Sequence, residues 1–177
     1  MELPIFPLNG AILFPETSLP LNIFEKRYLD MIDYALSKNR SIGMIQENEN
    51  KKLYEIGCVG KINSFNETND GRYLISLYGS NYFKVKNETN KKFKFRIVNA
   101  EILKNKTNGS FSFSDEKKDL LLQRYLEYIN FKKIKMDLTE IKNIDVSQLI
   151  KFITMISPFD DIDKQALLET FDINNLY

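Results

Sequence analysis

The 177-residue sequence has no histidine and no tryptophan, a single cysteine, and only seven glycines and five prolines. Without histidine a Ser-His-Asp or Cys-His catalytic centre is impossible, and so is an imidazole-ligated zinc or iron site. Cys58 stands alone, which excludes an intramolecular disulfide, a C-x-x-C redox pair and a zinc ribbon. Neither sign of charge is in excess: 25 Lys+Arg face 24 Asp+Glu, a formal net charge of +1. No global field therefore pulls the chain toward nucleic acid or an anionic membrane. No apolar run approaches the roughly 20 residues of a membrane span. The opening Met1–Gly10 lacks the basic start and apolar core of a secretory signal. These absences predict a soluble, cytoplasmic protein.

What is present is enough for a packed core, with 43% hydrophobic and 28% charged residues. Up to about residue 110 the text reads as strands and turns with one helix inserted. Leu3–Phe14 is apolar but broken by Pro4, Pro7 and Asn9-Gly10, which suits short, bent strands. Asn22-Ile-Phe-Glu25 has capping-box spacing. Tyr28, Leu29, Ile32, Ala35 and Leu36 then recur at helical spacing. Strand-like pieces follow at Ile42–Gln46, around Cys58–Ile62 and at Tyr73–Tyr78, with Asn69-Asp70-Gly71 as a hairpin signal. Lys92–Ile97 alternates, which predicts a strand with Phe93, Phe95 and Ile97 facing inward and Lys92, Lys94 and Arg96 outward.

The polar stretch 105–114 marks a boundary, giving a β subdomain at 1–110 and a helical subdomain at 111–177. Ser114-Asp-Glu opens a helix whose apolar face is Leu121, Leu122, Tyr125, Tyr128 and Ile129. Asp145 caps a second, with Val146, Leu149, Ile150, Ile153 and Ile156 on one side, ended by Ser157-Pro158. A last helix over about Asp161–Thr170 carries Ile162, Ala166 and Leu167. Helices this short must pack on each other and on the β part. Residues 1–114 hold 16 basic and 12 acidic side chains and residues 115–177 hold 9 and 12, so the two parts attract.

Several blocks, in order, resemble the amino-terminal, substrate-binding domain of the ATP-dependent Lon protease family. They are Pro4-Ile-Phe-Pro-Leu-Asn9 leading to Leu13-Phe-Pro15, the signature Ile23-Phe24-Glu25-Lys-Arg27-Tyr28, Gly57-Cys-Val-Gly60, Asp70-Gly71-Arg72-Tyr73, and Lys164-Gln-Ala-Leu-Leu-Glu169. One departure is Tyr82, where the family often has arginine; any binding role of that arginine is in question here. The resemblance implies an α+β fold: a small PUA-like β-barrel with one inserted helix, followed by a C-terminal helical bundle. It implies a bacterial, stand-alone member without the ATPase or peptidase domains, since no G-x-x-x-x-G-K-[ST] phosphate loop is present. The implied partners are unfolded or apolar polypeptide segments, and a protease beside which the protein works as an adaptor or holdase.

The family-signature residues Phe24, Glu25, Arg27, Tyr28, Gly57, Gly60, Asp70, Gly71 and Arg72 have a structural reading first. Glu25 and Arg27, two apart on a helix, do not face each other; tying the helix to the strands, with Arg72 as partner, is the expectation. Asp70, Gly71 and Gly79 read as turn residues. Lys84–Lys106 carries eight basic and two acidic residues with Phe83, Phe93 and Phe95 interleaved. Its alternative reading is an RNA-binding face in a PUA-like protein; the simpler one is a solvated strand edge. Cys58 reads as a small buried hydrophobe, and Asp160, Asp161 and Asp163 as helix-start acids rather than a metal site. No enzyme, cofactor or metal is expected. The polypeptide would lie in an apolar groove between the β part and the helices.

Overall fold

The computed structural model describes residues 1–90, 92–104, 115–132 and 145–171. The strands are β1 (Glu2–Pro7), β2 (Ser18–Ile23), β3 (Ser41–Ile45), β4 (Ile56–Glu67), β5 (Tyr73–Glu88) and β6 (Ile97–Ile102). The helices are α1 (Lys26–Leu36), α2 (Asp115–Phe131), α3 (Val146–Ile156) and α4 (Asp161–Leu168). The result is α+β, a six-stranded sheet in the order β2-β5-β4-β3-β1-β6 with four helices. The far half of β5 also pairs with β6, so β5, β4, β3, β1 and β6 form a ring of pairings. All the ladders are antiparallel except β1–β3. The boundary expected at 105–114 lies outside the described residues.

α1 lays its apolar face into the sheet, burying Tyr28, Met31, Ile32 and Ala35 against Leu13, Ile42, Met44, Ile75, Leu77 and Ile97. Such all-apolar burial contributes about 1.5–3 kcal/mol per large side chain. The expected capping box does not form. Asn22 is taken into β2 opposite Leu74, and the N-cap is Glu25, which makes no side-chain cap bond. Proline at position 20 is accommodated because β2 is an edge strand, its only ladder partner among the described residues being β5.

The hairpin signal sits at the β4–β5 turn, where Gly71 takes φ 80 and the Gly71 N–H donates to the Thr68 carbonyl at 2.9 Å. Two other expectations are corrected. Gly79 is no turn residue; β5 runs through it to Glu88, because a side chain there would strike the Phe14 carbonyl and glycine has none. Lys92–Arg96 is not a strand, the ladder beginning only at Ile97. Phe95 and Ile97 are buried, whereas Phe93 remains 44% exposed.

The helices after the β part follow their local signals at the ends. Asp145 accepts a hydrogen bond from the Ser147 N–H at 2.9 Å, and Ser157, before Pro158, leaves the helical region with ψ 141. α2 buries Tyr125 and Ile129 of its expected face, and α3 buries Leu149 and Ile150. α4 turns a different side inward: Ile162 is 72% exposed, and Lys164, Gln165 and Leu168 are buried instead. Polar hydrogen bonding to the β part, described next, outweighs the apolar pattern.

Candidate functional site

The seam between the β part and α3–α4 is the first concave region. Leu168 packs with Ile12, Phe14, Ile56 and Tyr82, joined by Met155 and Phe171. Beside this apolar contact runs a polar one. Gln46 Nε2 donates to the Asp161 carbonyl at 3.0 Å and to Gln165 Oε1 at 3.1 Å, while Gln46 Oε1 accepts from the Gly10 N–H. Gln165 Nε2 donates to the Ile56 carbonyl at 3.1 Å. Lys151 Nζ donates to the Pro15 carbonyl at 3.0 Å. Every donor in this set meets an acceptor, which is what makes such burial tolerable.

A cleft of about 500 Å³ opens along this seam, lined by Tyr82, Glu101, Ile102, Leu103, Lys104 and Phe171. The Tyr82 and Phe171 rings meet edge-on, centroids 5.0 Å apart, and form one wall. Ile102, 40% exposed, forms another. Glu101, ion-paired with Lys86, and Lys104 make a polar rim. Burial pushes the Tyr82 phenol well above its ordinary range, so it stays neutral. Tyrosine at 82 thus adds apolar area to the seam.

The second concave region gathers signature residues. Glu25 has extended φ/ψ (−71, 129), so its side chain lies outside the helical spiral and reaches Arg27: Arg27 Nε donates to Glu25 Oε2 at 2.9 Å. The expectation that residues two apart cannot meet fails because the first of them is the N-cap. The Arg27 guanidinium lies over the Tyr28 ring, 4.5 Å from its centroid, and that ring meets Phe6 edge-on at 4.4 Å. Arg27 and Tyr28 line a cleft of about 340 Å³ with Pro7, Glu47, Lys51, Lys94, Phe95 and Arg96. Burial raises the Tyr28 phenol, with Arg27 opposing the shift. Next to it Phe93 stacks on Phe95 (5.0 Å, 21°), and Tyr34 tilts over both at 5.2 and 5.5 Å.

The remaining singled-out residues lie elsewhere. Arg72 pairs with Asp70 at 2.9 Å at the hairpin tip, not with Glu25 or Arg27, because the turn brings its own acid within reach. Phe24 is 66% exposed. Gly57 and Gly60 lie inside β4, Gly57 against the Phe83 ring and the Met44 carbonyl. Phe83 is core. Of the basic stretch, Lys84 pairs with Glu55 at 3.0 Å, Lys86 with Glu101, Lys94 with Asp30 at 3.7 Å, and Arg96 with Glu88 and Glu47. Cys58 is fully buried, its thiol pushed up by desolvation. Among the described residues no group of three or more Cys, Asp or Glu stands where it can hold a metal ion, and no helix is long and apolar enough to cross a membrane.

The molecule is a six-stranded α+β frame that carries two clefts walled in part by aromatic rings. Solved structures share the frame. The Lon N-terminal domain protein from Xanthomonas campestris aligns over 99% of this chain and 94% of its own at TM-score 0.73 and 18% identity. The N-terminal domain of the Mycobacterium avium complex Lon protease does so, with the same coverage, at 0.70 and 16%. The family model described as the ATP-dependent protease La (LON) substrate-binding domain matches residues 2–176, and the chain belongs to that family. The Lon protease of Buchnera aphidicola subsp. Baizongia pistaciae is 26% identical over 98% of this chain and 23% of its own length. Lon protease 2 of Herpetosiphon aurantiacus is 22% identical over 98% and 22%. The chain thus spans about a quarter of the length of these relatives.

Proposed function

We propose that the protein is a non-enzymatic polypeptide-binding module that holds exposed apolar segments, acting in the cytoplasm as an adaptor or holdase beside a protease. The observation that carries this reading is the seam cleft, whose Tyr82, Ile102, Leu103 and Phe171 walls stand between charged rims. A concave site lined mainly by apolar side chains with a few charged groups at its rim has the usual make-up of a binding cleft. Membership of a family described as substrate-binding supports the same reading, as does a match that falls on that domain of the relatives. In this reading the ring of pairings is a PUA-like barrel at 1–110, and 111–177 is a helical bundle packed on it. Phe24, Gly57, Gly60, Asp70, Gly71 and Arg72 then serve the fold. An RNA-binding face is disfavoured, since Lys84, Lys86, Lys94 and Arg96 each have a carboxylate neighbour.

Fluorescence anisotropy against a labelled unfolded polypeptide and a labelled single-stranded RNA, each at low and moderate salt, tests the proposal. The expected result is binding of the polypeptide that changes little with salt and weakens at least about fivefold in Ile102→Asp, whose charge would face an apolar segment. Steeply salt-dependent binding of RNA alone would overturn it.

A further inference from the structure

The signature cleft has an uneven hydrogen-bonding inventory. Its one lining carboxylate, Glu47, is held by a cation on each oxygen: Oε1 accepts from Lys51 Nζ at 2.8 Å and Oε2 from Arg96 Nη1 at 3.2 Å. Arg96 is engaged too, its Nε and Nη2 turned to Glu88. Among the described residues Arg27 spends its Nε and Nη2 on Glu25, which leaves Nη1 uncommitted. The Tyr28 hydroxyl has no partner among them, and Lys94 reaches Asp30 only at 3.7 Å, beyond hydrogen-bond range. The free donors of the cleft thus outweigh its carboxylate, each oxygen of which is already held by a cation. Its wall at Phe95 continues into the half-exposed Phe93 and the Tyr34 ring, a surface that suits a flat apolar group.

Resting on the polypeptide-binding reading, we propose that this cleft takes the carboxylate of an acidic residue lying next to an aromatic one in a disordered polypeptide segment, bent there so that both side chains face the cleft. The carboxylate accepts from Arg27 and the Tyr28 hydroxyl, with Lys94 at the rim, while the neighbouring ring lies against Phe93 and Phe95. Charged-group hydrogen bonds of this type are the strong ones. A nucleic-acid strand presents the same pairing of acceptor and ring, but it needs a net positive field. Here Glu25, Glu47, Glu88 and Asp30 sit beside the four cations of the cleft and Lys26, which shares Asp30 with Lys94, and cancel four of these five positive charges at a distance. One carboxylate bound at short range needs no such field. The site is thus a selectivity filter, added to the apolar seam, for segments in which an acid and a ring are neighbours.

The experiment uses the full chain and two labelled disordered peptides that differ only in Phe-Glu against Phe-Gln pairs, with a single-stranded RNA as third probe. The Phe-Glu peptide is expected to bind about tenfold more tightly, the worth of one charge-assisted hydrogen bond. Tyr28→Phe, which keeps the packed ring, and Arg27→Gln should each remove most of that preference, bringing the affinity of the Phe-Glu peptide close to that of the Phe-Gln peptide. Ile102→Asp at the seam should weaken both peptides and preserve their ratio. Equal binding of the two peptides, or a ratio untouched by Tyr28→Phe and Arg27→Gln, overturns the inference and leaves polypeptide binding standing. Binding of neither peptide overturns both readings. RNA binding that is lost in Arg27→Gln overturns the inference in favour of a phosphate ligand.

Discussion

The Lys164 ammonium donates to the Gly10 carbonyl at 2.7 Å, a bond between α4 and the turn after β1 that spans 154 positions of sequence. The same group donates to the Met155 carbonyl at 3.2 Å, so one side chain fastens α3, α4 and the β part. At 6% exposure it has little water to fall back on.

Lys164→Met keeps the length of the stem and removes the donor, leaving two carbonyls short of a partner. The expected loss is about 1–3 kcal/mol, read as a lower urea midpoint with unchanged slope. Burial also pulls the Lys164 ammonium below the ordinary lysine range. For a base so shifted, the unfolded chain binds the proton more tightly than the native one. The penalty of the buried charge is present below the native value and relieved as pH rises toward about 10.4. Wild-type stability should therefore gain on Lys164→Met in the alkaline window, and a difference flat in pH would contradict this.

Two glycines separate steric from conformational demand. A Cβ on Gly79 would lie 2.0 Å from the Phe14 carbonyl oxygen, a backbone atom that cannot step aside. At Gly71 nothing lies within 4 Å, but φ is +80. Gly79→Ala should cost on the order of 3 kcal/mol or fail to fold, and Gly71→Ala only about 1–2 kcal/mol. Thermal unfolding of the pair checks the order, and a larger loss at Gly71 would reverse the argument.

Legibility in the sequence followed the range of the forces involved. The face of α1 and the β4–β5 turn were readable, since apolar spacing and a glycine with positive φ are local facts. The inward face of α4 was not. Lys164 and Gln165 outrank Ile162 there only because the Gly10 and Ile56 carbonyls wait across the seam. The run of β5 past Gly79 depended on Phe14, far away in sequence. Phe93 was assigned inward by alternation, but the ladder starts at Ile97, so alternation had no sheet to refer to. The signature cleft is half visible in the sequence: Arg27 and Tyr28 belong to the signature and Arg96 to the basic stretch, whereas Glu47 has no local mark. Two oppositely charged residues 49 positions apart announce nothing until the segments after β3 and before β6 come together.

Glu88 gives an acid-side prediction. Its carboxylate takes two hydrogen bonds from the Arg96 guanidinium, and that bonding holds it below the usual glutamate range. A carboxylate whose native pKa is lowered contributes its stability above the unfolded value, about 4.3, and loses it as pH falls through the native one. Glu88→Gln should therefore be less stable than wild type at pH 7, and the gap should close as pH is lowered past 4. Because the pair is half exposed, added salt should narrow the gap at pH 7 as well. Urea unfolding at pH 7, 5 and 3, with and without salt, decides it. A gap that stays constant down to pH 3 would mean that shape, not charge, joins Glu88 to Arg96.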